Sequence, residues 1–256
     1  MIGPPSSVVK RAAPDGVRAA GVRAAYDAWH SLLPTDIEAN APWHRLVSAH
    51  LDADRDLIGK AVLEIACGRG GFACRLARQP RSPARLIAAD FSASAIAKGR
   101  SHAAHNDISG VTWEVADIQS LAHPAKTFDT VISCETIEHV PSPQRALEEL
   151  ARVLKRGGHL FITTPNYFGP LGMYRLYAKA RGRPFTEVGQ PINRLMFLPL
   201  TIAWIKQAGL RVSVVDAVGH YLPFPRRPPI EFPRLNNPRA LMRWVGLHSL
   251  VVAEKP

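Results

Sequence analysis

Between residues 61 and 163 the apolar positions gather into five short runs, at 61–65, 86–89, 111–115, 128–133 and 159–163, each rich in Val, Ile, Leu or Phe. Apolar runs of this length suit strands buried on both faces, and the Ala-, Leu-, Arg- and Glu-bearing stretches between them are long enough for crossover helices. The pattern predicts an α/β chain with a mostly parallel sheet and helices on both faces, whose ligands sit at the carboxyl ends of the strands. Ahead of this region Val17, Ala20, Ala24 and Ala28, then Ile37, Leu46, Val47 and Leu51, recur at helical spacing and are interrupted by Pro34 and Pro42. Two or three short helices are expected there, after a mobile tail at 1–16 that is rich in Pro, Ser and Ala. Beyond Pro165 the rhythm changes. Residues 166–195 mix aromatic and basic side chains, a helix is expected from 198 to Gly209, a strand over 211–218, a Pro-rich loop over 223–238 and a closing strand over 246–253.

At 256 residues the chain fits one domain, read as a tail and helical cap (1–56), a ligand-binding core (57–165) and a lid insertion with completion of the sheet (166–256). With 46% hydrophobic and 21% charged residues, disorder is excluded as the main state. The longest membrane-span candidate, 195–205, is short of the ~18 residues a crossing needs and holds Pro199 and Thr201. No secretory signal is recognisable, so a cytoplasmic location is expected. The three cysteines, Cys67, Cys74 and Cys134, are too few and too poorly spaced for a zinc cluster and are expected to be reduced. The net charge of +11 is uneven, because residues 166–256 carry 13 Lys and Arg against 4 Asp and Glu. Such a field favours anionic partners without choosing among a small molecule, a lipid surface and nucleic acid.

The chemistry centres on Glu64-Ile65-Ala66-Cys67-Gly68-Arg69-Gly70-Gly71, where an apolar strand meets a glycine turn and then a helix. Glycines there let backbone approach a ligand and turn a helix N-terminus toward polar groups; the bland alternative is a tight strand-to-helix turn. Asp90 closes the second run, where a carboxylate accepts hydrogen bonds from ribose hydroxyls. Asp117 follows the third, where an acceptor meets an adenine amino group. Each acid alone reads as a cap, but their register with successive strands argues for a nucleoside ligand.

These residues resemble the class I methyltransferases that use S-adenosylmethionine. The match runs from Glu64 to Gly70 through Asp90, Asp117 and Phe128–Ile132 to Leu154-Lys155-Arg156-Gly157-Gly158, strongly over 57–165 and loosely elsewhere. The resemblance implies a Rossmann-like, seven-stranded sheet with an antiparallel last strand and an N-terminal helical cap. It implies S-adenosylmethionine contacts from Glu64, Ala66, Gly68, Gly70, Asp90, Phe91, Asp117, Ile118 and Cys134. Dinucleotide dehydrogenases share the glycine turn, and Ala73 in place of their third glycine is allowed, so discrimination falls to Asp117 and to the segment at 134–141.

That segment is Cys134-Glu135-Thr136-Ile137-Glu138-His139-Val140-Pro141. If a helical turn begins after the fourth strand, Glu135, Glu138 and His139 stand at i, i+3 and i+4 and offer a divalent ion oxygen and nitrogen donors. The spacing is similar to the E-x-x-E-H of the ubiquinone-pathway O-methyltransferases, which implies magnesium or another divalent cation at these three positions. Small-RNA 2′-O-methyltransferases use similar wording. In metal-free members His139 acts as base or merely packs, and Glu138 and His139 are then the catalytic candidates. Tyr26, Trp29, His30, Trp43 and His44 are candidates to close over the site or to pack on the sheet. Residues 167–183 are open to three readings: a substrate lid, a lipid-touching basic face or a solvated face.

The reading is an S-adenosylmethionine-dependent methyltransferase of a small molecule, most simply of a hydroxyl. The acceptor is expected to be anionic or lipid-like, with room for peripheral membrane contact. Nucleic acid is not expected, because the basic residues interleave with prolines more than with stacking aromatics. The rivals are an RNA 2′-O-methyltransferase, a C- or N-methyltransferase of a secondary metabolite with His139 as base, and a non-catalytic cofactor-binding subunit.

Overall fold

A computed structural model describes residues 15–32, 40–182, 192–224, 227–236 and 241–256. Seven strands form one sheet: β1 (Ala61–Ile65), β2 (Arg85–Asp90), β3 (Val111–Val115), β4 (Phe128–Cys134), β5 (Leu154–Pro165), β6 (Arg211–Val218) and β9 (His248–Glu254). Their spatial order is β3-β2-β1-β4-β5-β9-β6, parallel throughout except that β9 runs antiparallel to both β5 and β6. The order reverses between β1 and β4, so the loops at their carboxyl ends diverge and leave a crevice.

Alternation along each strand feeds two cores, one per face. On one face Val62, Ile132 and Phe161 pack with Phe72 and Leu76 of α3 (Gly71–Ala77) and with Leu46 and Val47 of α2 (Pro42–His50). On the other, Leu63, Val131 and Ile162 pack with Leu147 and Leu150 of α5 (Pro143–Val153) and with Ile205 of α7 (Leu198–Gln207). Proline in the first turn starts both α5 and α7, where a missing N–H costs nothing.

Helix α1 (Asp15–Leu32) lies against α4 (Ala93–His105), and Tyr26 meets the edge of Phe91 at 5.1 Å between ring centroids. Of the tail expected at 1–16, Asp15 and Gly16 already belong to α1, and residues 1–14, Ile37 and the basic stretch beyond Gly182 lie outside the described residues. Within the lid segment, Pro170–Ala180 forms helix α6, which packs on a short hairpin of β7 (Tyr221–Phe224) and β8 (Arg227–Glu231). That hairpin replaces the loop expected over 223–238. Pro223 is tolerated because it falls at the register shift between the pairs Leu222↔Ile230 and Phe224↔Arg227, where no ladder N–H is needed.

Candidate active site

Where β1 ends, the backbone turns through left-handed residues at Ala66 (φ 57°), Gly68 (φ 53°) and Gly70 (φ 70°) before α3 begins. The two glycines serve different ends. A Cβ on Gly68 would meet only His30 Cε1, 3.7 Å away, so one side of this residue is open. A Cβ on Gly70 would stand 2.2 Å from the indole of Trp113, and one on Gly99 would stand 2.5 Å from it. Gly70 thus makes room for a β3 tryptophan threaded against α3 and α4, and it is absent from the cavity wall that Gly68 joins.

That cavity, of 520 Å³, opens at the carboxyl ends of β1, β2 and β4. Glu64, Ala66, Gly68, Asp90, Phe91, Asp117, Ile118 and Cys134 all line it, so eight of the nine cofactor positions expected from sequence come together there. Asp90 is buried, and its two carboxylate oxygens accept the N–H groups of Gly68 at 2.8 Å and Ser92 at 2.9 Å. Burial pushes its carboxyl up to about 6 against the pull of those donors, and the remaining lone pairs can accept hydroxyls. Glu64 is buried to the same degree. Desolvation, opposed by the Ala73 N–H and aided by Asp90, pushes it up to about 8, so it holds a proton at neutral pH, and its Oε2 finds no partner among the described residues. Burial likewise pushes the Cys67 and Cys134 thiols well up, and all three cysteines are free. Asp117 combines its two readings: Oδ1 accepts the Gln119 N–H at 2.9 Å, capping its own turn, while the residue forms part of the wall.

The turn after β4 departs from expectation. Glu135 is left-handed (φ 49°), Thr136 is non-helical, and only Ile137–His139 form a single 3₁₀ turn, so the three expected donors do not share a helical face. Glu135 Oε2 lies 2.8 Å from Nδ1 of His248 on β9. Glu138, fully buried and off the cavity wall, accepts from Thr164 Oγ1 at 3.2 Å and has Oε1 3.5 Å from His139 Nε2. His139 Nδ1 donates to the Ile192 carbonyl at 2.7 Å. Among the described residues no three His, Cys, Asp or Glu side chains are disposed to hold an ion. The donor set expected at Glu135, Glu138 and His139 is thus not supported by this arrangement: left-handed backbone sends the first carboxylate toward another strand, and the second is buried off the cavity wall.

His248 itself escaped sequence reading. It stands 113 positions from Glu135 in a run that reads only as a closing strand, and its partner is set by the β5–β9 pairing, which brings it opposite Pro165. Trp43 packs on its ring at 4.9 Å between centroids, and both line the cavity with Trp29, His30 and His44, joining the aromatic N-terminal residues to the site. The cavity fits the nucleoside ligand that the resemblance implies. Gly68 is open where backbone must approach, Asp90 retains acceptor capacity, and the orphaned Glu64 oxygen and His30 Nδ1 await polar partners.

Comparison with known proteins agrees with this geometry. A family model described as a methyltransferase domain matches residues 58–186. The chain is 30% identical over 175 residues, 68% of its length and 73% of the relative, to a ubiquinone biosynthesis O-methyltransferase of Neisseria meningitidis. It is 29% identical over 192 residues, 75% of its length and 66% of the relative, to the ubiquinone/menaquinone biosynthesis C-methyltransferase UbiE of Geobacter sulfurreducens. In fold it is similar to an S-adenosylmethionine-dependent methyltransferase from Mesorhizobium loti, with a TM-score of 0.59 at 18% identity, covering 87% of this chain and 100% of that one.

Proposed function

The chain belongs to the class I S-adenosylmethionine-dependent methyltransferases, and from that membership we propose that it methylates a hydroxyl of a small-molecule acceptor. The observation that carries the reading is that one cavity holds both the nucleoside-binding set of Glu64, Gly68 and Asp90 and an oriented imidazole, His248, fixed by Glu135. The bound cofactor supplies a methyl group already activated on a sulfonium, so the protein's share is alignment, exclusion of water and removal of the acceptor's proton.

Each duty falls to residues of this chain. Asp90 takes the ribose hydroxyls and Asp117, with Ile118 beside it, borders the adenine. Protonated Glu64 lets the floor of the cavity stay dry without a buried charge. The aromatic side chains of Tyr26, Trp29 and Trp43 line the cavity. For the proton, His248 is the better held of two imidazoles. Its Nδ1–H donates to Glu135, which leaves Nε2 as the basic nitrogen and stabilises the imidazolium that forms. His139 also lines the cavity, but its Nδ1–H is spent on Ile192 and its Nε2 faces Glu138. No step is assigned to a divalent ion, since the donors do not converge.

The relatives' names support an oxygen acceptor, because several are called ubiquinone biosynthesis O-methyltransferases. The test is incubation of the purified protein with S-adenosylmethionine and a panel of phenols, catechols and aliphatic alcohols, with mass spectrometric location of the new methyl. Transfer to oxygen supports the reading. Turnover only on carbon or nitrogen acceptors, or only on RNA, overturns it.

A further inference from the structure

His30 is 7% exposed, lines the cavity beside Gly68, and has its Nδ1 without a hydrogen-bond partner among the described residues. A buried orphan of this kind is costly unless something satisfies it. The His30 ring meets Trp29 edge-on at 4.8 Å between centroids, a contact that leaves Nδ1 unsatisfied, while Tyr26 against Phe91 helps to hold the same stretch of α1. We propose that His30 is a ligand of the bound S-adenosyl compound, meeting the polar amino-acid end that Gly68 admits. The inference rests on the assignment of this cavity to that compound.

Three further observations bear on it. Burial, then the nearby Arg69 charge, lowers His30 to about 4, so the ring is neutral and offers one donor and one acceptor. A neutral ring suits an occupant with both ammonium and carboxylate groups and adds no second cation beside a sulfonium. Helix α1 is also latched to the turn that carries Asp90. Asp27 Oδ1 accepts from Ser92 Oγ at 2.6 Å and from the Ser94 N–H at 3.3 Å, while Ser92 N–H donates to Asp90. Lys98 Nζ donates to the carbonyls of His30 at 2.7 Å and Ser31 at 2.9 Å, fixing the last turn of α1 over the site. Occupancy of the Asp90 side and of the Gly68 side therefore bears on one helix end, which His30 ties to the occupant.

Calorimetry with S-adenosylhomocysteine, and with 5′-methylthioadenosine as a probe lacking the amino-acid end, tests this on the full chain. His30→Ala is expected to weaken S-adenosylhomocysteine roughly three- to tenfold, as loss of one neutral hydrogen bond does, and to leave 5′-methylthioadenosine unchanged. His30→Asn should restore part of the loss. Amide exchange over 21–32 should slow on S-adenosylhomocysteine binding in the wild type and less so in His30→Ala. Equal affinities for wild type and His30→Ala, or equal losses for the two probes, overturn the role of His30. Failure of the wild type to bind S-adenosylhomocysteine, or an Asp90→Ala variant that binds it as well, overturns the cofactor assignment instead, and with it this inference.

Discussion

His248 Nδ1 stands 2.8 Å from Glu135 Oε2, joining the last strand of the sheet to the residue that leaves β4. The pairing depends on an unusual backbone: Glu135 is one of four non-glycine residues with positive φ among those described, and its N–H is held by the carbonyl and hydroxyl oxygens of Thr163 at 3.0 and 3.1 Å. Strain of this kind costs about 1–3 kcal/mol and persists where neighbouring contacts over-determine it. Here the product is a carboxylate aimed over the carboxyl end of β5 at β9.

Glu135 thus pairs with His248 instead of standing on one helical face with Glu138 and His139. Exhaustive chelation followed by desalting is expected to leave methyl transfer within about twofold of the untreated protein. Loss of most activity on chelation, restored by magnesium but not by buffer alone, would show that the donors converge in the working enzyme.

The two glycines of the turn should separate on substitution. Gly70→Ala places a methyl 2.2 Å from Trp113 at a left-handed residue, and strain plus overpacking should cost about 2–5 kcal/mol in urea unfolding. Gly68→Ala meets only His30 at 3.7 Å and should cost about 1 kcal/mol of stability while weakening S-adenosylhomocysteine much more. Adding Trp113→Leu to Gly70→Ala should recover part of the loss. Equal stabilities for the two single variants would refute this division of labour.

Much of the core was legible because its signals are local. The runs at 61–65, 111–115 and 211–218 match their strands end for end: β1 is buried along nearly its whole length and reads as a largely apolar stretch, whereas the edge strands β3 and β6 interleave apolar and polar positions. The acids Glu64, Asp90 and Asp117 were findable because each sits at or near a strand's carboxyl end. What stayed hidden depends on distant residues. Gly70 reads as a ligand-facing glycine until Trp113 is seen against it, and Glu135 reads as a metal ligand until His248 claims it. The hairpin over 221–231 was masked by prolines that a register shift accommodates.

The carboxyl of Glu64 makes stability depend on pH in a stated direction. It lies at about 8 in the folded chain, because of burial, against 4.5 when exposed, so over that interval the folded state holds a proton that the unfolded state has lost. Stability contributed by this group is complete below its exposed value and falls as pH rises toward 8. His30 and His44, both lowered to about 4 by burial, act in the opposite sense, but only below 6.5. Between about pH 6.5 and about pH 8.5 the thermal midpoint should therefore fall more steeply in wild type than in Glu64→Gln. Parallel curves would place the Glu64 proton elsewhere.

Kinetics should distinguish the two imidazoles on the cavity wall. A positioned base contributes roughly 10²–10⁴-fold to a rate, so His248→Asn is expected to lower kcat by about that factor while S-adenosylhomocysteine affinity stays within about twofold. Glu135→Gln keeps the hydrogen-bond geometry but removes the charge that supports imidazolium. It should lower kcat less than His248→Asn does, because the imidazole stays oriented. His139→Asn breaks the bond to Ile192 and disturbs the pair with Glu138, so its main effect should be a lower unfolding midpoint and a smaller loss in kcat. The opposite ranking, with His139→Asn folded normally but inactive and His248→Asn near wild type, would assign the proton to His139 and leave Glu135 and His248 a structural pair between β4 and β9.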